Sequence, residues 1–316
     1  MAHNNRKPKM TPYTLKDFQR QFPNDTVCLE WLRNRLYPEG IYCEKCEAVT
    51  KHHRVVSRPS YSCDRCGHHV HPTAGTIFHK SPTPLTTWFY AIYLMAQTRC
   101  GISAKQIQRE TGVTYKTAWR MFKQIRSMLE EDATPLGGKG KGVEIDETYY
   151  GGKRKRGTGR PMRGDKTKMP VIEIVERKGR VKALAIPDVS GATMLPLIKQ
   201  YVLPQSIVYT DELRSYHGIS HMTAGYAHKR IHHSSNVYVV GDIHTNTVEG
   251  LWSLINRGIG GVYHSISQKY LQTYLNEYTF RYNRRFDEQP MFTSFLGQIE
   301  KKEVVPQNIN AVPTPF

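Results

Sequence analysis

Apolar residues along this 316-residue chain fall into two textures. Up to about residue 132 they recur at helical spacing, and beyond a glycine-rich break they gather into short runs of the kind that form buried strands. Phe18, Phe22, Cys28, Leu29, Leu32 and Leu36 predict one or two helices within 12–36. Pro84 to Thr98 is apolar nearly all round, which predicts a buried helix. Ser103 and Gln106 have the spacing of a capping box and open a short helix to Glu110. A Thr111-Gly112-Val113 turn and a helix from Tyr115 to Leu129 complete a helix-turn-helix outline. In that last helix Ala118, Phe122, Ile125 and Leu129 make one apolar face, and Lys116, Arg120 and Lys123 fall opposite. A basic stripe behind a core stripe suits a helix lying in a DNA groove. The solvated face of an ordinary helical hairpin has the same pattern.

Ala133 to Gly142 (ATPLGGKGKG) reads as a linker. Past it, Val143 to Asp146 predicts a strand, and Val171–Val175 with Val181–Ile186 predicts a hairpin turning at Gly179. A helix over Ala192–Tyr201, a buried strand over Ser206–Tyr209, and helices from Thr247 and near 267–285 follow. The order describes an α/β domain spanning 143–290, with 291–316 as a tail whose end is rich in proline. The longest strongly apolar run, Trp88 to Ala96, is nine residues, far short of a membrane span. The polar, basic first residues lack the apolar segment of a secretion signal.

Charge narrows the picture. The net charge is +18, which favours a polyanionic partner, nucleic acid before an anionic membrane surface. Three segments hold most of it. Residues 1–20 carry five basic groups and one acid, 101–129 six and one, and 153–168 eight and one. The last (KRKRGTGRPMRGDKTK) begins with Lys153, Arg154, Lys155 and Arg156 and suits a phosphate-tracking loop, or a plain solubilising one.

Four of six cysteines form two Cys-x-x-Cys pairs, Cys43/Cys46 and Cys63/Cys66, with sixteen residues between the pairs. That spacing fits one structural zinc ion in a ribbon over 41–72, since four thiolates leave no open position for catalysis. Two disulfides or free thiols are the alternatives, and His52, His53, His68, His69 or His71 could replace a thiolate. Cys28 and Cys100 lie in apolar helical contexts and read as core.

In so basic a chain, acids at strand ends stand out. Asp146 closes one strand, Asp211 closes another, and Glu249 lies on the helix beginning near Thr247. Three such carboxylates would make a hard-oxygen site for two Mg²⁺ or Mn²⁺ ions and for phosphodiester chemistry. A lone Asp at a strand end is more often a turn former, and Glu147, Glu212 and Asp242 compete for these roles. A site built from His217, His221, His228, His232, His233 and His244 has irregular spacing.

From Phe22 to Arg285 the chain resembles the zinc-ribbon transposases of bacterial insertion sequences, the ISXO type related to Merlin elements. The likeness rests on Phe22-Pro-Asn-Asp25, the paired cysteines, HPTAGTIFHKSPTPLTTWFYAIYLM and GISAKQIQRETGVTYKTAWRMFKQIR. It continues through GVEIDETYYGGKRK, YTDELRSYHGI and HTNTVEGLWSLINRGIGGVYHSIS. The resemblance implies a ribonuclease-H-like fold over 143–290 with Asp146, Asp211 and Glu249 as its acidic triad, accompanied by Asn246 and Trp252. It implies a multidomain chain: a helical segment over 1–40, the ribbon, a helix-turn-helix region over 83–132, the linker 133–142 and the catalytic domain. Such a protein binds terminal inverted repeats, cleaves and transfers DNA strands with two divalent ions, and works as a homo-oligomer on DNA. It would be nucleoid-associated in a bacterial cytoplasm, or nuclear in a eukaryote. A DNA-binding regulator without catalysis, or another nuclease of this fold, would carry many of the same features.

Overall fold

A computed structural model of the chain describes residues 10–129, 134–151, 168–230 and 246–301. The helical part opens with α1 (Leu15–Gln21) and α2 (Asp25–Leu36), capped by the side chains of Thr14 and Asn24. The ribbon follows as β1 (Ile41–Cys43), β2 (Ala48–Thr50), β3 (His52–Val55), β4 (Ser60–Cys63) and β5 (His69–Val70). Strands β1 and β2 form one antiparallel pair, and β3, β4 and β5 form a three-stranded sheet. Then come α3 (Leu85–Gln97), α4 (Ala104–Thr111) and α5 (Tyr115–Ser127), with Gly112 in the left-handed conformation at the turn. Ser103 accepts the Gln106 amide as expected, but Gln106 turns its side chain to Glu110 and Arg109, so the box is only half made.

The second part is built on one sheet. Its strands are β7 (Gly142–Tyr150), β8 (Met169–Glu176), β9 (Val181–Ala185), β11 (Ile207–Thr210) and β12 (Ala227–Arg230), in the order β12-β11-β7-β8-β9. Strands β7, β8 and β9 run as an antiparallel meander. β11 lies parallel to β7, and β12 parallel to β11. One face carries Val143, Ile145, Ile172 and Ile174 and packs on α6 (Gly191–Tyr201) and the 3₁₀ segment Arg214–His221. The other carries Val171, Val175 and Val181 and packs on α7 (Asn246–Gly258) and α8 (Leu271–Asn283). Alternation along each strand thus buries both faces.

Two stretches depart from the sequence expectation. Within 133–142, Leu136–Gly137 (β6) pairs in parallel with Val202–Leu203 (β10), so part of the expected linker is a strand. Residues 291–301, expected in a tail, form α9 (Met291–Leu296) and a turn, and bury Phe292, Phe295, Leu296 and Ile299 in the helical core. Helix α8 joins the parts: Tyr274 and Phe280 enter the helical core, while Leu271, Leu275 and Tyr278 face the sheet. Among the described residues, no helix is long and apolar enough to cross a membrane.

Candidate active site

The sheet topology creates a gap with acids around it. β11 pairs with β7 only from Gly142 to Glu144, whereas β7 runs on to Tyr150 against β8. Beyond Glu144 no described residue pairs with the β11 side of β7, and Asp211, the residue after β11, lies beside that edge. One oxygen each from Asp146, Glu147 and Asp211 can be chosen so that all lie within 4.8 Å of one another. Asp211 is held by its own turn, its Oδ1 accepting the Leu213 amide at 2.9 Å.

Helix α7 is tied to the same strand at two points. The fully buried Glu144 accepts the Val248 amide at 3.2 Å, so a carboxylate meets the positive end of the helix, and Arg177 Nε donates to Glu144 at 2.8 Å. One turn on, Trp252 Nε1 donates to Asp146 Oδ2 at 3.0 Å. These bonds fix the first turn of α7, which carries Glu249. Glu249 is exposed and lines a surface groove with Trp252, Ser253, Asn256 and Arg257. It stands outside the three-carboxylate cluster, although its charge acts on Asp146. The Asn246 side chain and Asp242 lie outside the described residues, while Glu212 is exposed.

Crowding of like charges is visible in the acidities. Burial, and then the charges of Asp211 and Glu249, raise Asp146 to about 6 against the pull of the Trp252 bond. Burial and the charge of Asp211 raise Glu147 to about 8, although the Tyr216 hydroxyl donates to Glu147 at 2.6 Å. Glu173 pairs with Asp146 across β7 and β8, is fully buried, and has no hydrogen-bond partner for either oxygen among the described residues. Burial and the Asp146 charge push it well above the ordinary range. Clustered hard oxygens held against their own repulsion fit a divalent cation, for which oxygens sharing an ion at ~2.1 Å lie roughly 3–4 Å apart.

The ribbon cysteines form a second cluster. Their four sulfurs lie within 4.8 Å of one another, with Cys43 Sγ 3.5 Å from Cys66 and Cys46 Sγ 3.9 Å from Cys63. Each pair spans the end of a strand and its turn, and Gly67 takes the positive φ (+69°) that closes the second turn. Thr50 Oγ1 lies 3.1 Å from Cys63 Sγ, placed to donate to a thiolate. The set could hold one zinc ion. Three of the neighbouring histidines are engaged elsewhere: His52 with the Thr50 carbonyl, His53 with Asp64 and His69 with Ser60. Among the described residues no histidine joins a metal cluster; His228 bonds Thr210 and Ser220. His232, His233 and His244 lie outside them.

Ala118, Phe122 and Ile125 of α5, and Leu129 just past its end, are buried as expected, and Lys116 and Lys123 are exposed. Lys123 Nζ stands 5.3 Å from the centre of the Tyr270 ring. Arg120 is half-buried and donates to the His79 carbonyl at 2.7 Å, so it ties α5 to the segment after the ribbon. Lys153, Arg154, Lys155 and Arg156 lie outside the described residues. Sequence pattern missed Arg126, on the same helix, which is buried against Glu277 of α8. Its position beside Phe122 and Ile125 on the apolar face was the available signal.

Residues 135–283 match the ISXO2-like transposase domain family. Over 259 residues the chain is 29% identical to an uncharacterized protein in transposable element ISH50 of Halobacterium salinarum, covering 77% of this chain and 85% of that protein. A 128-residue stretch is 31% identical to an uncharacterized transposase-like protein of Haemophilus influenzae, covering 40% of this chain and 99% of the relative.

Proposed function

Since this chain belongs to the ISXO2-like insertion-sequence transposases, we propose that it binds the ends of its element, cleaves them and joins them to target DNA. The observation that carries the reading is the convergence of Asp146 and Asp211 where the paired edge of two parallel strands ends, and Glu249 lies in the first turn of a helix anchored to the same strand. The strand order and senses, an antiparallel meander with two parallel strands beside its first member, support a ribonuclease-H-like catalytic domain.

Asp146, Asp211 and Glu249 would hold two divalent ions, Mg²⁺ or Mn²⁺. Those ions, when bound, supply the positive charge that activates an attacking oxygen and stabilises a leaving one. Trp252 fixes the rotamer of Asp146, and Glu144 fixes the helix bearing Glu249. In the first step water attacks phosphorus, the bond to the 3′ oxygen breaks, and that oxygen leaves with a proton as a 3′-hydroxyl. In the second this hydroxyl attacks a target phosphodiester and displaces another 3′ oxygen.

A structural zinc in the ribbon would brace the region that reads the terminal repeats with α5, where Lys116, Arg120 and Lys123 are the proposed phosphate or base contacts. Lys153 to Arg156 would track the backbone near the cleavage site. Two ends must meet in one event, so a homo-oligomer assembles on double-stranded DNA, in the nucleoid of a prokaryotic host or the nucleus of a eukaryotic one. The test is cleavage of DNA carrying the element ends. Asp146→Asn and Asp211→Asn should abolish Mg²⁺-dependent cutting and retain end binding; cutting by either variant would refute the site.

A further inference from the structure

Glu147 occupies an unusual position for a strand residue. Neighbours along a strand point to opposite faces. Asp146 indeed lies on the α7 side, where Trp252 holds it, and Glu147 lies on the other side, where Tyr216 of the 3₁₀ segment holds it. An oxygen of each nonetheless lies within 4.8 Å of the other and of Asp211. The edge of β7 beyond Glu144, where no described residue pairs with its β11 side, explains this, because side chains from both faces can curl round that edge toward Asp211. Reaching round an edge takes length, and Glu has one methylene more than Asp.

We infer that Glu147 is a further carboxylate ligand of the divalent-metal centre, with Tyr216 as its positioning residue. The inference rests on the catalytic reading above and extends it to a residue outside the Asp146, Asp211 and Glu249 triad. Tyr216 is fully buried in the core between the sheet and α6, so its hydroxyl cannot follow a displaced carboxylate. It engages Oε2, one of the two carboxylate oxygens. Such outer bonds fix which oxygen a ligand presents. A separate observation lies beside the cluster: both oxygens of the buried Glu173, the cross-strand neighbour of Asp146, lack hydrogen-bond partners among the described residues. A solvated strand-end acid, the ordinary alternative for Glu147, would not be clasped by a buried phenol.

The experiment is Mn²⁺ binding to the zinc-loaded full chain, followed by the electron paramagnetic resonance of free Mn²⁺, with circular dichroism and zinc content as checks of folding. Glu147→Gln and Tyr216→Phe should each weaken Mn²⁺ binding by about 10-fold or more, the loss typical of a disturbed ligand or its outer partner. Glu147→Asp should fall with them, because it keeps the charge and loses the reach. Wild-type affinity in Glu147→Gln, with binding lost in Asp146→Asn and Asp211→Asn, would overturn the inference and leave the active-site reading standing. Unchanged binding in all of these variants would overturn both. Should Glu147→Gln fail to fold, the nearly isosteric Tyr216→Phe decides: unweakened binding there refutes the inference.

Discussion

Glu277→Gln alters shape very little and should destabilise the protein severely. Glu277 lies fully buried on α8, where it accepts Arg126 Nε from α5 at 2.6 Å and Arg281 Nη2 from its own helix at 2.6 Å. The three groups clamp the helical region to the catalytic part. Arg126 also lies between aromatic rings, its guanidinium carbon 3.5 Å from the centre of Phe122 and 3.6 Å from that of Tyr274. Removing the one negative charge strands two buried guanidinium groups. Breaking a buried pair from one side costs about 3–5 kcal/mol, and retained ring contacts worth about 1–2 kcal/mol argue for the lower end. At about 2–4 °C per kcal/mol for a chain of this order of size, the melting temperature should fall by roughly 6–12 °C. The comparison is Arg126→Met/Glu277→Leu/Arg281→Met, which removes all three charges and should stay within about 2 kcal/mol of wild type. Denaturation of the zinc-loaded full chain reads both. A loss below about 1 kcal/mol in Glu277→Gln would refute the clamp.

Three further outcomes follow from the same structure. Elemental analysis should find one zinc per chain, lost in Cys43→Ser together with protection of the ribbon backbone from hydrogen exchange; full retention of zinc would refute the four-sulfur site. Raised pKa values at Asp146 (about 6) and Glu147 (about 8) mean that the folded state binds more protons than the unfolded one, so their stabilising contribution is whole below about pH 4 and is lost as pH rises to 8. The zinc-loaded protein without other divalent ions should therefore lose more stability between pH 5 and 8 than Glu147→Gln does, with Mn²⁺ restoring it most at pH 8; parallel melting curves would contradict this. Lys116→Ala and Lys123→Ala should each weaken DNA binding and lower its salt dependence by about one ion, as phosphate contacts do, and an unchanged salt slope would remove them from the interface.

What the sequence revealed follows the range of the interactions. Helices α3, α4 and α5, the start of the strand carrying Asp146 and the strand just before Asp211 are local patterns, and apolar periodicity placed them within a few residues. Strand β7 runs to Tyr150 instead of stopping at Asp146 because β8 pairs with it over its whole length, a partner set by the hairpin rather than by the residues themselves. Helix α9 has six residues, and what makes it a helix is contact with α3, about 200 positions earlier in the chain, through Phe292 and Tyr93. The bonds from Arg126 to Glu277 and from Tyr216 to Glu147 bridge 151 and 69 positions and leave no periodic trace. Glu147 was visible as an acid beside Asp146. Its turn toward Asp211 was not, since strand alternation alone sends it to the opposite face.

A chain that makes and joins DNA ends should carry out strand transfer in a purified system. Purified zinc-loaded protein would be incubated with a labelled DNA fragment carrying the element end and with a plasmid target, in Mg²⁺ or Mn²⁺ and in chelator. Label should become joined covalently to the target through the element's 3′ end only with the divalent ion, and not in Asp146→Asn. End binding without nicking or joining in either metal would contradict it and favour a DNA-binding regulator.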